Sequence, residues 1–323
     1  MNKTYLGQSP ELLRAFFGYM ETVKGKAPQT ADGYFINLRL FFRFIKRLKG
    51  LVPDDVEFNQ IDIMDVDVAL CEKITLSDVY EFMSFLSSER GNKAAARSRE
   101  CSAIRALFDY LTGKTGILRE NPVKELGNPK LRASLPRFLS LEQSIDLLGA
   151  VDGRYQARDY CILTLFLNCG MRLSELVGIN YHDILSENRL RIRGKGNKER
   201  IVYLNDACIE AIKEYQKVRP VENVIDKEAL FISRNRRRMD KRTVQNVVYK
   251  YLERIGLDGD GYSAHKLRHT AATLMYEHGG TDVRVLKDIL GHENLNTTQI
   301  YTHVSDRQMR DAAKANPLAN LKR

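Results

Sequence analysis

The stretch GYSAHKLRHTAATLMYEHG, residues 261–279, combines an apolar stripe at helical spacing with basic side chains near its start. His265 and Arg268 are three residues apart and share one helical face, and His269 follows His265 by four residues. The spacing predicts an α-helix that presents these three groups together. Their partner is then a metal ion, a carboxylate or a phosphate.

A metal is the least favoured of these partners. The helical zinc motif H-E-x-x-H needs a glutamate where Lys266 stands, and Arg268 would place a guanidinium beside a dication. The five cysteines are widely spaced and form no C-x-x-C pair, which argues against a zinc site or a disulfide framework and fits a reducing cytoplasm. We therefore expect no metal, and we interpret His269 as a structural residue.

Apolar periodicity and capping residues predict a mostly α-helical chain. The main exception is RLRIRGKGNKERIVYL, residues 189–204, where basic and apolar residues alternate before a glycine-rich turn and a β-rich run follows it. This pattern predicts a β-hairpin. The expected fold class is therefore mostly α, with a helical first domain and an α+β second domain that holds a small sheet.

A change in composition separates the two domains. Residues 112–138 hold three of the eight prolines, which is typical of a linker. We predict a helical domain at 1–118, a linker at 119–138 and a second domain at 139–323. The acidic, poorly periodic stretch 53–70 is interpreted as a solvated connection or insertion.

The overall charge favours a polyanionic partner. Lys plus Arg is 51 against 41 for Asp plus Glu, giving a net charge of +10. A hydrophobic content of 43% supports a buried core. The sequence shows neither a run of about 18 apolar residues nor the order of a signal peptide at its start, so we expect a cytoplasmic protein with no membrane partner.

Further chemical groups of the second domain lie in three other segments. Each has an ordinary interpretation when taken alone: an arginine paired with a carboxylate, a solvated turn lysine, a core tyrosine. The segments are GMRLSELVGI with Arg172 and Glu175, RGKGNKER with Lys195, and LGHENLNTTQIYTHVS with His292 and Tyr301.

Together with His265 and Arg268, these groups suit one reaction. Two guanidiniums can hold the non-bridging oxygens of a phosphodiester under attack, and imidazoles add further donors. A lysine can protonate the leaving oxygen, and a phenol can be the nucleophile and conserve the bond energy as a phosphotyrosine. Metal-assisted cleavage would instead need a cluster of carboxylates.

In their order and spacing, GMRLSELVGI, RGKGNKERIVYL, SAHKLRHTAATLM and LGHENLNTTQIYTHVS resemble the tyrosine recombinase (phage integrase) family and its bacterial Xer branch. The resemblance implies that two arginines clamp the scissile phosphate, that two histidines complete the pocket, and that a lysine is the general acid for the 5′ oxygen. It implies a tyrosine that attacks to form a 3′-phosphotyrosine, and a reaction that needs no cofactor because the covalent intermediate conserves the bond energy. The residues at the matching positions are Arg172 and Arg268, His265 and His292, Lys195 and Tyr301, with Glu175 bracing Arg172 and His265 also assisting proton movement.

The resemblance also implies an architecture and partners. A SAM-like helical core-binding domain and a catalytic domain of the DNA breaking-rejoining fold would clamp double-stranded DNA at a specific recombination site. Four protomers, identical or of two kinds, would assemble on two sites, and the tail after Tyr301 would dock on a neighbour. A DNA translocase or accessory activator is a further expected partner. The expected DNA contacts are Lys93, Arg97, Arg99, Arg105, Arg236, Arg237, Arg238, Lys241 and Arg242.

Two features depart from the family pattern. Cys169 stands where related sequences often carry a hydroxyl residue, and the acidic stretch 53–70 is longer than in compact Xer proteins. We favour an Xer-type enzyme that resolves chromosome or plasmid dimers. A mobile-element integrase or a DNA invertase of the same family, a type IB topoisomerase and a non-catalytic DNA-binding protein stay open as alternatives.

Overall fold

The structure is a computed structural model that describes residues 1–129, 137–194, 198–259 and 261–291. The chain divides into two compact units, Met1–Ala133 and Ser134–Arg323. The division falls inside the proline-rich segment 112–138. Each unit has its own hydrophobic core.

The first unit is helical throughout its regular structure. Thr75 caps its fifth helix with a reciprocal capping box to Asp78, and Pro28 occupies the first turn of its third helix, where a missing N–H costs nothing. The helices are α1 Lys3–Gly7, α2 Glu11–Thr22, α3 Pro28–Leu48, α4 Val68–Glu72, α5 Leu76–Ser88 and α6 Ala94–Gly113.

Aromatic rings fill the core of this unit, where α3 packs between its neighbours. Phe41 of α3 and Phe82 of α5 meet edge to face, with ring centroids 5.3 Å apart. The core continues beyond α6, because Leu118, Val123 and Leu126 are also buried in it. The first half of the segment assigned to a linker is therefore packed against the helical unit.

The acidic stretch 53–70 differs from its interpretation as a solvated connection. Ile63, Val66 and Leu70 are buried in the core, and Ile61 is buried beside them. The ammonium of Lys46 is nearly enclosed and donates to Asp65 at 2.7 Å, which fixes the stretch onto α3. The interpretation was wrong because the widely separated apolar residues follow neither helical nor strand spacing, and the intervening acids hide them.

The second unit is built around α8, which is buried on nearly all sides and packs against α7, α9, α10, α11 and α12. Its sequence is apolar on nearly every face because the helix is largely surrounded by other helices. It ends at Gly170, whose φ of +57° is the left-handed conformation of a helix C-cap. The helices are α7 Leu141–Gly149, α8 Gln156–Cys169, α9 Leu173–Gly178, α10 Asp206–Val218, α11 Lys241–Arg254, α12 Ala264–Glu277 and α13 Val283–Leu290.

A three-stranded antiparallel sheet lies between α9 and α10 in the sequence, in the order β1 (Ile184–Leu185), β2 (Arg189–Arg193), β3 (Glu199–Tyr203). Leu190 and Ile192 of β2 point into the core, as their alternation predicted. The hairpin β2–β3 and the mostly helical fold class are confirmed. In the described part of the chain, no helix is long and apolar enough to cross a membrane.

Candidate active site

Arg172 is positioned by the junction between α8 and α9. Gly170 ends α8, and Arg172 is the extended N-cap residue of α9. Its backbone N–H donates to Glu175 Oε2 at 2.8 Å and its Nη1 donates to Glu175 Oε1 at 2.8 Å. The guanidinium is therefore aimed by a carboxylate one helical turn away, while 39% of the side chain stays exposed.

Glu175 is the centre of the arrangement, and its side chain is 1% exposed. Besides Arg172, it accepts two hydrogen bonds from Arg200, at 2.9 and 2.8 Å, and Arg268 Nη1 lies 3.8 Å from it. Burial alone would raise the pKa of the Glu175 carboxyl. The hydrogen bonds and charge of Arg200, with the hydrogen bonds of Arg172, outweigh burial and hold this pKa below its ordinary value.

Arg268 projects from α12 and is almost completely buried. Its Nη1 donates to the carbonyl of Gly170 and its Nη2 to the carbonyl of Leu290, both at 2.7 Å. These carbonyls lie at the C-terminal ends of α8 and α13, where the helix dipole is negative. A buried guanidinium is thus stabilised by two helix termini.

Three arginines from separate elements reach three consecutive carbonyls at the end of α13. Arg200 Nε donates to Ile289 at 3.0 Å, Arg268 to Leu290 at 2.7 Å, and Arg172 Nη2 to Gly291 at 3.2 Å. Because consecutive Cα atoms are about 3.8 Å apart, the three guanidiniums lie within a few ångströms of one another. Three guanidiniums and one carboxylate leave a net positive charge at this point. It favours binding of an anion whose oxygens can accept hydrogen bonds from two arginines.

His265 lies one turn before Arg268 on α12. Its Nε2 is 3.0 Å from Nε2 of His269, and the two rings are nearly perpendicular. One of these nitrogens must carry the hydrogen and the other accept it, so the pair restricts the tautomer of His265. Burial, followed by the charges of Arg268, Lys266 and Arg172, lowers the pKa of His265, which favours a neutral imidazole near neutral pH.

Three predicted catalytic residues, Lys195, His292 and Tyr301, lie outside the described residues. The residues beside two of them are described. Gly194 donates its N–H to Lys198 at 2.8 Å and closes the base of the β2–β3 turn, and Gly291 ends α13 with a φ of +63°. Among the six predicted catalytic residues, the structure thus brings together Arg172, His265 and Arg268, with Glu175 between the arginines.

Arg200 is the one residue of this group that the sequence analysis did not single out. It lies on β3 at an inward-facing position, with Val202 two residues on, whereas Ile201 between them is exposed. A basic residue on the inward face of a strand is an unusual choice, because it must find a buried partner. That alternation is the signal in the sequence that points to Arg200.

The predicted DNA contacts fall into two structural groups. Some guanidiniums are engaged within the protein: Arg97 donates to Ser87 and Asn92, Arg105 donates to Leu126 and Asn128, and Arg238 donates to Val177, Ile179 and Asn180. These bonds favour a supporting role for the three arginines. The other side chains are exposed, namely Lys93, Arg99, Arg236, Arg237, Lys241 and Arg242.

The exposed residues lie in the first two turns of α6, in the first turn of α11 and in the turn that contains Arg236 and Arg237. Lys93 is the N-cap of α6, and Lys241 and Arg242 form the first turn of α11, where the N-cap Asp240 accepts from the Thr243 N–H. Within the described residues, no group of three or more His, Cys, Asp or Glu side chains is placed to hold a metal ion.

The chain is similar to known proteins over almost its whole length. Residues 137–308 match the phage integrase family. It is 51% identical over 310 residues to the tyrosine recombinase XerC of Caldanaerobacter subterraneus subsp. tengcongensis, covering 96% of this chain and 88% of that protein. It is 37% identical over 296 residues to the tyrosine recombinase XerC of Psychromonas ingrahamii, covering 91% of each.

Among solved structures, the XerH site-specific recombinase in a post-cleavage complex with palindromic difH substrate superposes with a TM-score of 0.69. The superposition covers 97% of this chain and 86% of that chain, at 21% identity. This likeness confirms the expected fold.

Proposed function

The chain belongs to the phage integrase family as a Xer-type tyrosine recombinase, and from this premise we propose that it cleaves and rejoins DNA strands through a 3′-phosphotyrosine intermediate. One observation carries the proposal: Arg172 and Arg268, from different helices, reach consecutive carbonyls at Leu290 and Gly291 beside the Glu175 carboxylate. Their guanidiniums are thus gathered beside one carboxylate. Arg172 is partly exposed to a phosphate, and Arg268, which is buried, must be uncovered before it donates to the same phosphate.

The reaction conserves the energy of the DNA phosphodiester bond, because that bond is exchanged for a phosphotyrosine linkage. The hydroxyl oxygen of Tyr301 attacks phosphorus as its proton passes to His265, the bond from phosphorus to the 5′ oxygen breaks, and Lys195 gives that oxygen its proton. A 5′ hydroxyl of the partner strand then attacks the phosphotyrosine and gives its proton to Lys195, the bond from phosphorus to the tyrosine oxygen breaks, and that oxygen takes its proton back from His265. Charge that develops on the non-bridging oxygens is held by Arg172 and Arg268.

Glu175, Arg268 and His265 are arranged for this chemistry before DNA binds. Glu175 stays ionised because the pKa of its carboxyl is lowered, so it keeps Arg172 oriented without taking up a proton. His265 stays neutral in the same basic surroundings and can either donate or accept a hydrogen bond at the phosphate. The contacts that orient Arg172 and His265 are thus present without DNA.

DNA is the proposed partner, and exposed basic side chains supply its phosphate contacts. These contacts come from exposed side chains, namely Lys241 and Arg242 at the start of α11, Lys93 and Arg99 on α6, and Arg236 and Arg237 in the turn before α11. We expect protomers to assemble as a tetramer on two recombination sites. An accessory activator or translocase is a further expected partner.

The cellular role that we propose is resolution of chromosome or plasmid dimers. It is supported by near full-length similarity to curated XerC relatives. Integration of a mobile element, or inversion, uses the same chemistry on a different pair of sites. Sequencing of host DNA that becomes covalently attached to the protein separates these roles, because dimer resolution predicts one chromosomal site.

The chemistry is tested by trapping the covalent intermediate on a duplex that carries the captured host DNA sequence. A nick close to the cleavage position lets a short fragment diffuse away after cleavage, so that the intermediate accumulates. The wild type should give a protein–DNA band on a denaturing gel, and Tyr301→Phe should bind the duplex but give no band. Tyr203→Phe is the matched control, since Tyr203 is a strongly exposed tyrosine of the same domain. A band from Tyr301→Phe would rule out Tyr301 as the nucleophile, and plasmid relaxation without strand exchange would indicate a topoisomerase.

A further inference from the structure

Arg200 lies on the β2–β3 hairpin but is mostly buried against the candidate site and hydrogen-bonded to it. Its side chain is 14% exposed. Its two terminal nitrogens donate to the two carboxylate oxygens of Glu175, a bidentate geometry, and its Nε donates to the carbonyl of Ile289. Each of the three guanidinium nitrogens thus donates a hydrogen bond to Glu175 or to Ile289, which are distant in sequence from Arg200.

These contacts join the elements that carry most of the proposed catalytic groups. Arg200 itself lies on β3, in the hairpin whose turn contains Lys195. Glu175 connects it to Arg172, and Ile289 connects it to the end of α13, just before His292. A single side chain therefore links the hairpin, the arginine clamp and the start of the segment that leads to the nucleophile.

The chain passes close over the Arg200 guanidinium at Gly291. A Cβ at that position would lie 3.1 Å from both Cδ and Nη1 of Arg200, and φ there is +63°. Glycine is favoured here both by the backbone conformation and by the close approach of Arg200. The end of α13 is thus fitted to Arg200, as well as being hydrogen-bonded to it.

We propose that Arg200 is a positioning residue for DNA cleavage, which acts by fixing Glu175 and, through Glu175, the guanidinium of Arg172. The inference rests on the proposed function. Arg200 supplies two of the four hydrogen bonds shorter than 3 Å that Glu175 accepts. Without them the buried carboxylate takes up a proton more readily, and its hold on Arg172 weakens.

The first experiment measures the single-turnover cleavage rate of Arg200→Met at a protein concentration that binds all of the DNA. We expect a loss of about 10- to 100-fold, the range for removing an outer partner of a working group, with DNA affinity unchanged. The matched control is Arg193→Met, because Arg193 lies on the same hairpin but bonds Glu199 and Asp183 instead of Glu175. Equal rates for Arg200→Met and the wild type would overturn the proposal.

A double-mutant cycle distinguishes positioning from general destabilisation. If Arg200 acts through Glu175, then Arg200→Met combined with Glu175→Gln should cleave no more slowly than Glu175→Gln alone. Multiplication of the two separate losses would show that the two residues act independently, and would overturn the proposal.

A modified substrate identifies the part of the reaction that Arg200 supports. Sulfur in place of the 5′ bridging oxygen departs without protonation, so it bypasses the general acid. Since we place Arg200 behind the phosphate clamp, Arg200→Met should slow cleavage of the sulfur and oxygen substrates by the same factor. Recovery of the wild-type rate on the sulfur substrate would assign Arg200 to the proton transfer by Lys195, and would contradict the proposal.

If Arg200→Met does not fold, Arg200→Lys provides the test, because it keeps the charge but cannot form the bidentate pair. It should melt near the wild-type temperature and cleave at least about tenfold more slowly. Cleavage at the wild-type rate would overturn the proposal. The failure of the proposed function is a separate result, since it would be seen as covalent trapping that survives Tyr301→Phe.

Discussion

Replacing Glu175 with glutamine removes one charge and almost no volume from the centre of the site. The carboxylate accepts hydrogen bonds from Arg172 and Arg200, and Arg268 lies 3.8 Å away. A glutamine offers one acceptor oxygen and turns an NH2 group toward guanidinium donors. Removing one partner of a buried ion pair costs about 3–5 kcal/mol, because the remaining charges stay desolvated.

For a domain of about 150–250 residues this cost corresponds to a fall in melting temperature of about 6–20 °C. Circular dichroism of the full chain during heating measures it. The matched control is Glu199→Gln, since Glu199 is an exposed carboxylate on the hairpin paired with Arg193, and exposed pairs contribute about 0–1 kcal/mol. A fall for Glu175→Gln no larger than for Glu199→Gln would refute the role of Glu175.

The difference in melting temperature between the wild type and Glu175→Gln should depend on pH in a definite direction. The folded-state pKa of Glu175 is lowered, so its contribution to stability is complete above its ordinary value of 4.5 and is lost as pH falls through the lower folded value. The gap in melting temperature between wild type and Glu175→Gln should therefore be constant from pH 7 to 5 and close only in stronger acid. A gap that closes between pH 7 and 5 would show that the carboxyl is not held ionised.

Three further outcomes follow. Gly291→Ala should lower the melting temperature and the cleavage rate, with a backbone cost of about 1–2 kcal/mol from φ of +63° alone; unchanged cleavage would show that the end of α13 adapts freely. The imidazole of His265 should stay neutral on NMR titration as pH falls through 6.5, because its pKa is lowered by burial and then by Arg268; protonation above 6.5 would contradict this. Burial raises the pKa of Glu100 to about 7, so stability should decline as pH rises from 4.5 to 7, and Glu100→Gln should remove that decline and stabilise the protein above pH 7 by up to about 3 kcal/mol; an unaltered decline would place its cause elsewhere.

Much of the fold follows from local sequence patterns. The apolar run that ends at Gly170 is unambiguous as a helix with a glycine cap, and the alternation of Leu190 and Ile192 predicts the hairpin. The strand Ile184–Leu185 was not predicted, because two residues are too few to show the alternation of apolar and polar side chains that marks a strand. The stretch 53–70 was misinterpreted because its buried residues are held by tertiary contacts, including the ion pair to Lys46.

The site is predicted only in part, for a physical reason. Arg172 is the N-cap of the helix that carries Glu175, three residues further on, so their pairing can be expected from the sequence. Arg200 contacts Ile289, 89 residues away, and no local pattern reports such a contact. Likewise, nothing in the basic run around Arg238 shows that this one guanidinium bonds to the backbone near α9 while its neighbours are exposed.

The most direct test of the central chemistry is to find the atom to which DNA becomes attached. Covalent complexes formed on the captured DNA site can be digested with nuclease and trypsin, and the peptide that carries a nucleotide can be sequenced by mass spectrometry. The proposed reaction predicts a 3′-linked nucleotide on Tyr301, within peptide 288–307, and a sharp loss of this adduct in Arg172→Ala and Arg268→Ala. An adduct on any other side chain, or full yield from either arginine variant, would contradict it.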